Sequence, residues 1–124
     1  MDVTPLIQKG KKVINKYGKG SFTVDDVRYS SNIVILPDKV LSWNIVSFNE
    51  LSVDVFKEIF RQELTPEILL IGTGENHQNL GYHLEAEFAK LNVIPEVMST
   101  GAAARTYNTL LAESRNIAAA LILV

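Results

Sequence analysis

The stretch Ile68-Leu69-Leu70-Ile71-Gly72-Thr73-Gly74, followed by Glu96-Val97-Met98-Ser99-Thr100-Gly101-Ala102-Ala103-Ala104-Arg105-Thr106-Tyr107-Asn108 and then by the apolar end Ile117 to Val124, decides the fold. Ile68 to Ile71 is apolar throughout, the pattern of a strand covered on both faces. Each of the first two apolar segments runs into a small, Gly-containing turn that opens a helix. In open α/β sheets such turns place backbone N–H groups at the carboxyl ends of strands, where ligands usually sit. Ile117 to Val124 reads as a last buried strand.

Working outward, Leu80, Leu84, Phe88 and Leu91 recur at helical spacing and predict a helix over 80–91. Pro95 to Met98 is a short strand. Thr100 is the expected cap of a helix reaching Arg115, with Ala103, Tyr107, Leu110 and Leu111 inward and Asn116 taking the left-handed turn that ends it. Upstream, Ser52 caps a helix to Gln62 whose buried stripe is Val53, Phe56, Ile59 and Phe60, and Thr65-Pro66-Glu67 breaks it. Asn32 to Leu36 and Val40 to Val46 are strands joined by Pro37-Asp38-Lys39, with Leu41, Trp43 and Ile45 on one face. Phe22-Thr23-Val24 and Val27-Arg28-Tyr29 form a hairpin about Asp25-Asp26. Met1 to Lys19 is polar, with Val13 and Ile14 its anchors, and residues 1–20 are a candidate flexible segment. Strands crowd the first half, and strand and helix alternate in the second. The expectation is one α/β domain over 1–124, with a mixed central sheet, right-handed βα crossovers and an N-terminal antiparallel ribbon.

The chain has 124 residues, 47% apolar and 21% charged, enough for one domain with a real core. A net charge of −2 disfavours a general nucleic-acid binder. Lys9, Lys11, Lys12, Lys16 and Lys19 cluster near the start, while acids dominate from Glu50 to Glu96. So loose a basic cluster reads first as a solvated segment, with RNA or acidic-lipid contact as the sharper reading. The absence of cysteine excludes disulfides, thiolate catalysis and cysteine-zinc sites. Met1-Asp2-Val3-Thr4-Pro5 lacks the features of a signal peptide, and the longest apolar run is too short to span a bilayer. A cytoplasmic protein without membrane insertion is expected.

Two turns are candidate binding sites. Gly72-Thr73-Gly74 is no P-loop, since no Gly-Lys-Ser/Thr follows, and no dinucleotide fingerprint, since His77 stands where the third glycine belongs. It relieves a tight turn, or it also lines a pocket. Met98, Ser99 and Thr100 open a helix whose first N–H groups suit an anion or a carbonyl oxygen, with Arg105 one turn further in. The other side of that helix carries Gly101, Ala104, Asn108, Ala112 and Arg115, a candidate protein interface and a route to a homo-oligomer, or else a solvated or ordinarily packed face. His83 and Glu87 are spaced as a surface ion pair rather than a metal site. Ser99 and Ser114 have no identifiable base, and Trp43 reads as packing rather than a stacking platform. No catalytic residue, metal or cofactor is assigned.

The ordered combination Ile71-Gly72-Thr73-Gly74, Val97 to Arg115 and Ala118-Ala119-Ala120-Leu121, preceded by Tyr17-Gly18, Phe22, Tyr29, Pro37 and Trp43, resembles the domain of unknown function 498 family over nearly the whole chain. The resemblance implies a compact three-layer α/β domain with a mixed central sheet. It implies no catalytic activity and no cofactor. Mitochondrial relatives assist assembly of the respiratory NADH dehydrogenase through protein contacts. Ser114-Arg115-Asn116 departs from the Gly-Arg expected at that helix end. Two functions compete: a non-enzymatic protein-binding domain aiding assembly of a membrane or respiratory complex, and a small-molecule or anion-binding domain or enzyme using the two turns as a pocket.

Overall fold

The computed structural model describes residues 11–62 and 65–124. Lys9 and the first half of the segment read as a flexible start lie outside them. The elements are β1 (Ile14–Gly18), β2 (Ser21–Val24), β3 (Val27–Tyr29), β4 (Ile33–Ile35), β5 (Val40–Ser42), α1 (Asp54–Gln62), β6 (Ile68–Gly72), α2 (Tyr82–Ala89), β7 (Glu96–Met98), α3 (Thr100–Ala112) and β8 (Ile117–Leu121). Strands β1-β2-β3 form an antiparallel ribbon, and the central sheet runs β5-β4-β8-β6-β7. The sheet is mixed: β8 pairs β4 antiparallel and β6 parallel, and β6 pairs β7 parallel.

The period of two divides the sheet's side chains between two cores. Val34, Leu69, Ile71, Ala118 and Ala120 face one side, where Phe56 and Ile59 of α1 and Phe88 of α2 cover them. Ile33, Ile35, Leu70, Ile117, Ala119 and Leu121 face the other, under Ala103, Tyr107 and Leu111 of α3 and Phe22 and Val24 of the ribbon. The result is three layers. All five residues of β8 are buried, and its run of alanines lets covering elements approach from both sides. Trp43, Phe56 and Phe88 form an aromatic chain, with Trp43 edge-on to Phe56 at 5.9 Å and Phe56 5.3 Å from Phe88.

Several boundaries differ from expectation. Val53 carbonyl accepts the first α1 bond, from Lys57 N–H at 2.9 Å, so Ser52 stands one residue outside the cap, accepting from Asp54 N–H at 3.4 Å. Gly81, at φ 85°, delays α2 to Tyr82, yet Leu80 and Leu91 still pack on the core. The left-handed residue after α3 is Ser114, at φ 60°, not Asn116, and the helix ends at Ala112. Asn116 carbonyl instead accepts from Glu67 N–H at 3.0 Å, joining the start of β6 to the start of β8. Strand β5 is regular only to Ser42: Trp43 N–H still donates in register to Asn32 carbonyl (2.8 Å), and the chain then turns, with Ile45 N–H donating to Trp43 carbonyl (3.0 Å); Leu41, Trp43 and Ile45 nevertheless reach the same core. Ile14–Gly18 is a strand that its polar composition did not suggest.

Candidate functional site

The chain leaves β6 for α2 on one face of the sheet and leaves β7 for α3 on the other. Adjacent parallel strands whose connections diverge in this way open a crevice at their carboxyl ends. Gly72, Thr73, Gly74, Met98, Ser99 and Thr100 meet there. Thr73 N–H donates to Met98 carbonyl (2.9 Å) and Thr100 N–H to Gly74 carbonyl (2.8 Å). Gly74 N–H donates to the Thr100 hydroxyl (2.9 Å), which itself donates to Ile122 carbonyl (2.7 Å). Ile122 N–H returns to Gly72 carbonyl at 3.1 Å. The Thr73 hydroxyl donates to Asn76 carbonyl (2.6 Å) and accepts from Gln78 N–H (3.2 Å).

These bonds make a clasp across the ends of β6, β7 and β8. Gly72 is required by closeness: a Cβ there would lie 2.9 Å from the Thr100 Cα. Thr100 is wholly buried and is not the cap. Ser99 is, accepting from Ala102 N–H at 3.4 Å through its side chain. Thr100 sits one residue inside, with its hydroxyl facing the neighbouring turn. The polar groups expected to face a ligand are here directed at one another.

Arg105 takes a different direction. Its Nη1 donates to the Tyr17 hydroxyl at 2.6 Å and lies over Gly101, where a Cβ would be 3.3 Å from it. It therefore joins β1, not the clasp. The small face of α3 receives that same strand. Ala104 is buried against it, and the Asn108 side chain accepts from Ile14 N–H (2.9 Å) and donates to Ile14 carbonyl (2.8 Å), completing both backbone groups of the residue beside the ribbon's irregularity. Ala112 is half-buried, and Arg115 at the helix end is paired with Glu67 at 3.3 Å.

Between β1 and the first half of α3 runs a groove of about 800 Å³, lined by Lys16, Lys19, Arg28 and Arg105 among polar neighbours. The loose lysine cluster supplied two of these cations to one place. Arg28 carried no sequence signal, since only the ribbon's register brings it there.

The histidines stay apart. His77 lines a hollow of about 430 Å³ beside Glu85 and Ile94. The partner of Glu87 is Lys90, at 3.2 Å, rather than His83. The Lys90 hydrogen bond and charge hold the Glu87 carboxyl below its usual range, with His83 a smaller contributor. Burial pushes the Tyr107 phenol up; its hydroxyl donates to Lys12 carbonyl at 2.8 Å. Among the described residues no group of three or more His, Cys, Asp or Glu side chains is arranged to hold a metal ion. Also among them, no helix is long and apolar enough to cross a membrane.

A three-layer α/β domain with an antiparallel ribbon over a mixed sheet, clasped at its strand ends, defines the class. The chain belongs to the family described as a protein of unknown function (DUF498/DUF598), whose model matches residues 14–122. It is 32% identical over 110 residues to NADH dehydrogenase [ubiquinone] 1 alpha subcomplex assembly factor 3 of Danio rerio, covering 89% of this chain and 63% of that protein. It thus spans about three fifths of the assembly factors it matches. An uncharacterized protein of Rhodobacter capsulatus is 32% identical over 113 residues, covering 91% of this chain and 86% of its own. The crystal structure of a Bordetella parapertussis protein superposes with a TM-score of 0.83 at 32% identity, covering 94% of this chain and 98% of the other.

Proposed function

We propose that this chain is a non-catalytic protein-binding domain that aids assembly of a membrane or respiratory complex. The observation that carries the reading is similarity along nearly nine tenths of the chain to proteins named as NADH dehydrogenase assembly factors. The clasp supports it. The crevice where an α/β protein would keep a reactive group instead spends the Thr100 hydroxyl, the Gly74 amide and the Thr73 hydroxyl on internal bonds.

Affinity purification at native expression, with crosslinking and mass spectrometry of proteins and small molecules, tests this reading. The expected outcome is enrichment of subunits of one membrane-bound complex over an untagged control. Recovery of the chain alone, or with a small molecule and no protein, contradicts it.

A further inference from the structure

The groove between β1 and α3 gathers cations that nothing in the clasp or in the assembly reading uses. Lys16 stands opposite Thr23, and Thr23 opposite Arg28, so the three form one cross-strand row on one face of the ribbon. Lys19 projects from the β1–β2 turn, which Gly20 N–H ties to Val124 carbonyl at 2.8 Å. Arg105 forms the opposite wall from α3. Four positive side chains thus reach one concavity from three separate parts of a chain whose net charge is −2.

The described lining contains no carboxylate. Asp25, near in sequence, is engaged by Lys12 at 3.1 Å. Among the described residues Lys16, Lys19, Arg28 and Arg105 have no acidic partner. Like charges held together repel one another, and an anion in the groove relieves that repulsion. Arg105 is already positioned. The Tyr17 hydroxyl holds Nη1, and the bare Gly101 leaves room for the guanidinium, whose remaining donors are free to fork onto an oxyanion.

We propose that this groove binds a small ligand carrying two or more phosphate groups. One phosphate occupies only part of about 800 Å³ and neutralises only part of four cations. A neutral ligand leaves the repulsion in place. A protein segment would need several apolar and aromatic pockets to anchor it, and among the described residues this lining offers Tyr17 as its one aromatic side chain, beside four cations. The site stands independently of the assembly reading, since it rests on the ribbon and α3 alone.

Calorimetric titration of the full chain with tripolyphosphate, beside amide-shift mapping by NMR, tests the site. The expected result is one tripolyphosphate per chain, weakened by salt, with shifts confined to 16–20, Arg28 and the first turns of α3. Arg28→Gln and Arg105→Gln should each weaken binding about tenfold or more, the scale of a lost charge-assisted bond, with melting temperature little changed. Arg61→Gln, at an exposed pair with Glu58 on α1, should bind as the wild type does. Absence of binding at millimolar tripolyphosphate, shifts centred elsewhere, or equal loss in Arg61→Gln overturns the proposal. So does tighter binding of a decaglutamate peptide than of tripolyphosphate, which would make the groove a seat for an acidic protein segment.

Discussion

At the scale of one residue, the buried Thr100 hydroxyl ties the turn after β6 to the chain leaving β8. The position of Thr100 at a strand-to-helix turn marked it as important, but a cap and a clasp use the same residue type. Only the distance between two turns far apart in sequence separates them. Thr100→Val keeps the shape and removes the hydroxyl, leaving Gly74 N–H and Ile122 carbonyl unpaired in a buried place. The expected loss is about 2–4 kcal/mol, larger than the roughly 1 kcal/mol expected for the true cap variant Ser99→Ala. Urea unfolding of the two variants checks the order; a larger loss in Ser99→Ala would contradict the clasp as the dominant contact at this turn.

Tyr107 gives the pH counterpart. Its phenol is buried and donates to Lys12 carbonyl, so folding favours the neutral form and raises its ionisation above the ordinary value of about 10. A raised group of this kind contributes stability that is complete below the unfolded value and is lost as pH rises beyond it. Tyr107→Phe should therefore cost about 0.5–1.5 kcal/mol at pH 7. It should also show a shallower decline than the wild type above about pH 10. Unfolding free energies at both pH values check this, and parallel declines would contradict it.

At the scale of elements, β8 was legible because an unbroken apolar run admits little besides a strand covered on both sides, although the strand ends at Leu121 rather than Val124 and Leu123 and Val124 are only half-buried. Its place between β4 and β6 agrees. The central β6 was legible as a similar apolar run, the two crossover helices by the helical spacing of their apolar residues, and the ribbon hairpin by two short strands flanking Asp25-Asp26. Strand β1 was not. Its outward residues Asn15, Lys16 and Tyr17 are exposed, and it is held by Asn108, 94 positions from its partner Ile14. No local pattern reports such a contact. Nor does composition place Arg28 beside Lys16, since their proximity is set by ribbon register. Removal of Leu121 to Val124 deletes the wholly buried Leu121 together with the Ile122 and Val124 bonds to Gly72, Thr100 and Gly20. Large buried side chains at roughly 1.5–3 kcal/mol each, with those bonds, approach a typical stability of about 5–15 kcal/mol. The truncated chain should show no cooperative melting by calorimetry; a cooperative transition would show that these residues only trim the edge of the core.

At the scale of the whole molecule, the domain has a hydrogen-bonded clasp at its strand ends and a cationic groove along its ribbon. The relatives named as assembly factors motivate the proposed assembly role, and the groove motivates the proposed phosphate site. The assembly role is open to a test in the source organism. The chromosomal copy is deleted, and membrane complexes are resolved by native electrophoresis with activity staining. One membrane-bound complex should fall severalfold while its subunits collect in smaller intermediates, and the wild-type chain should restore it. Unchanged amounts and sizes of all such complexes in the deletion strain would rule out the assembly role.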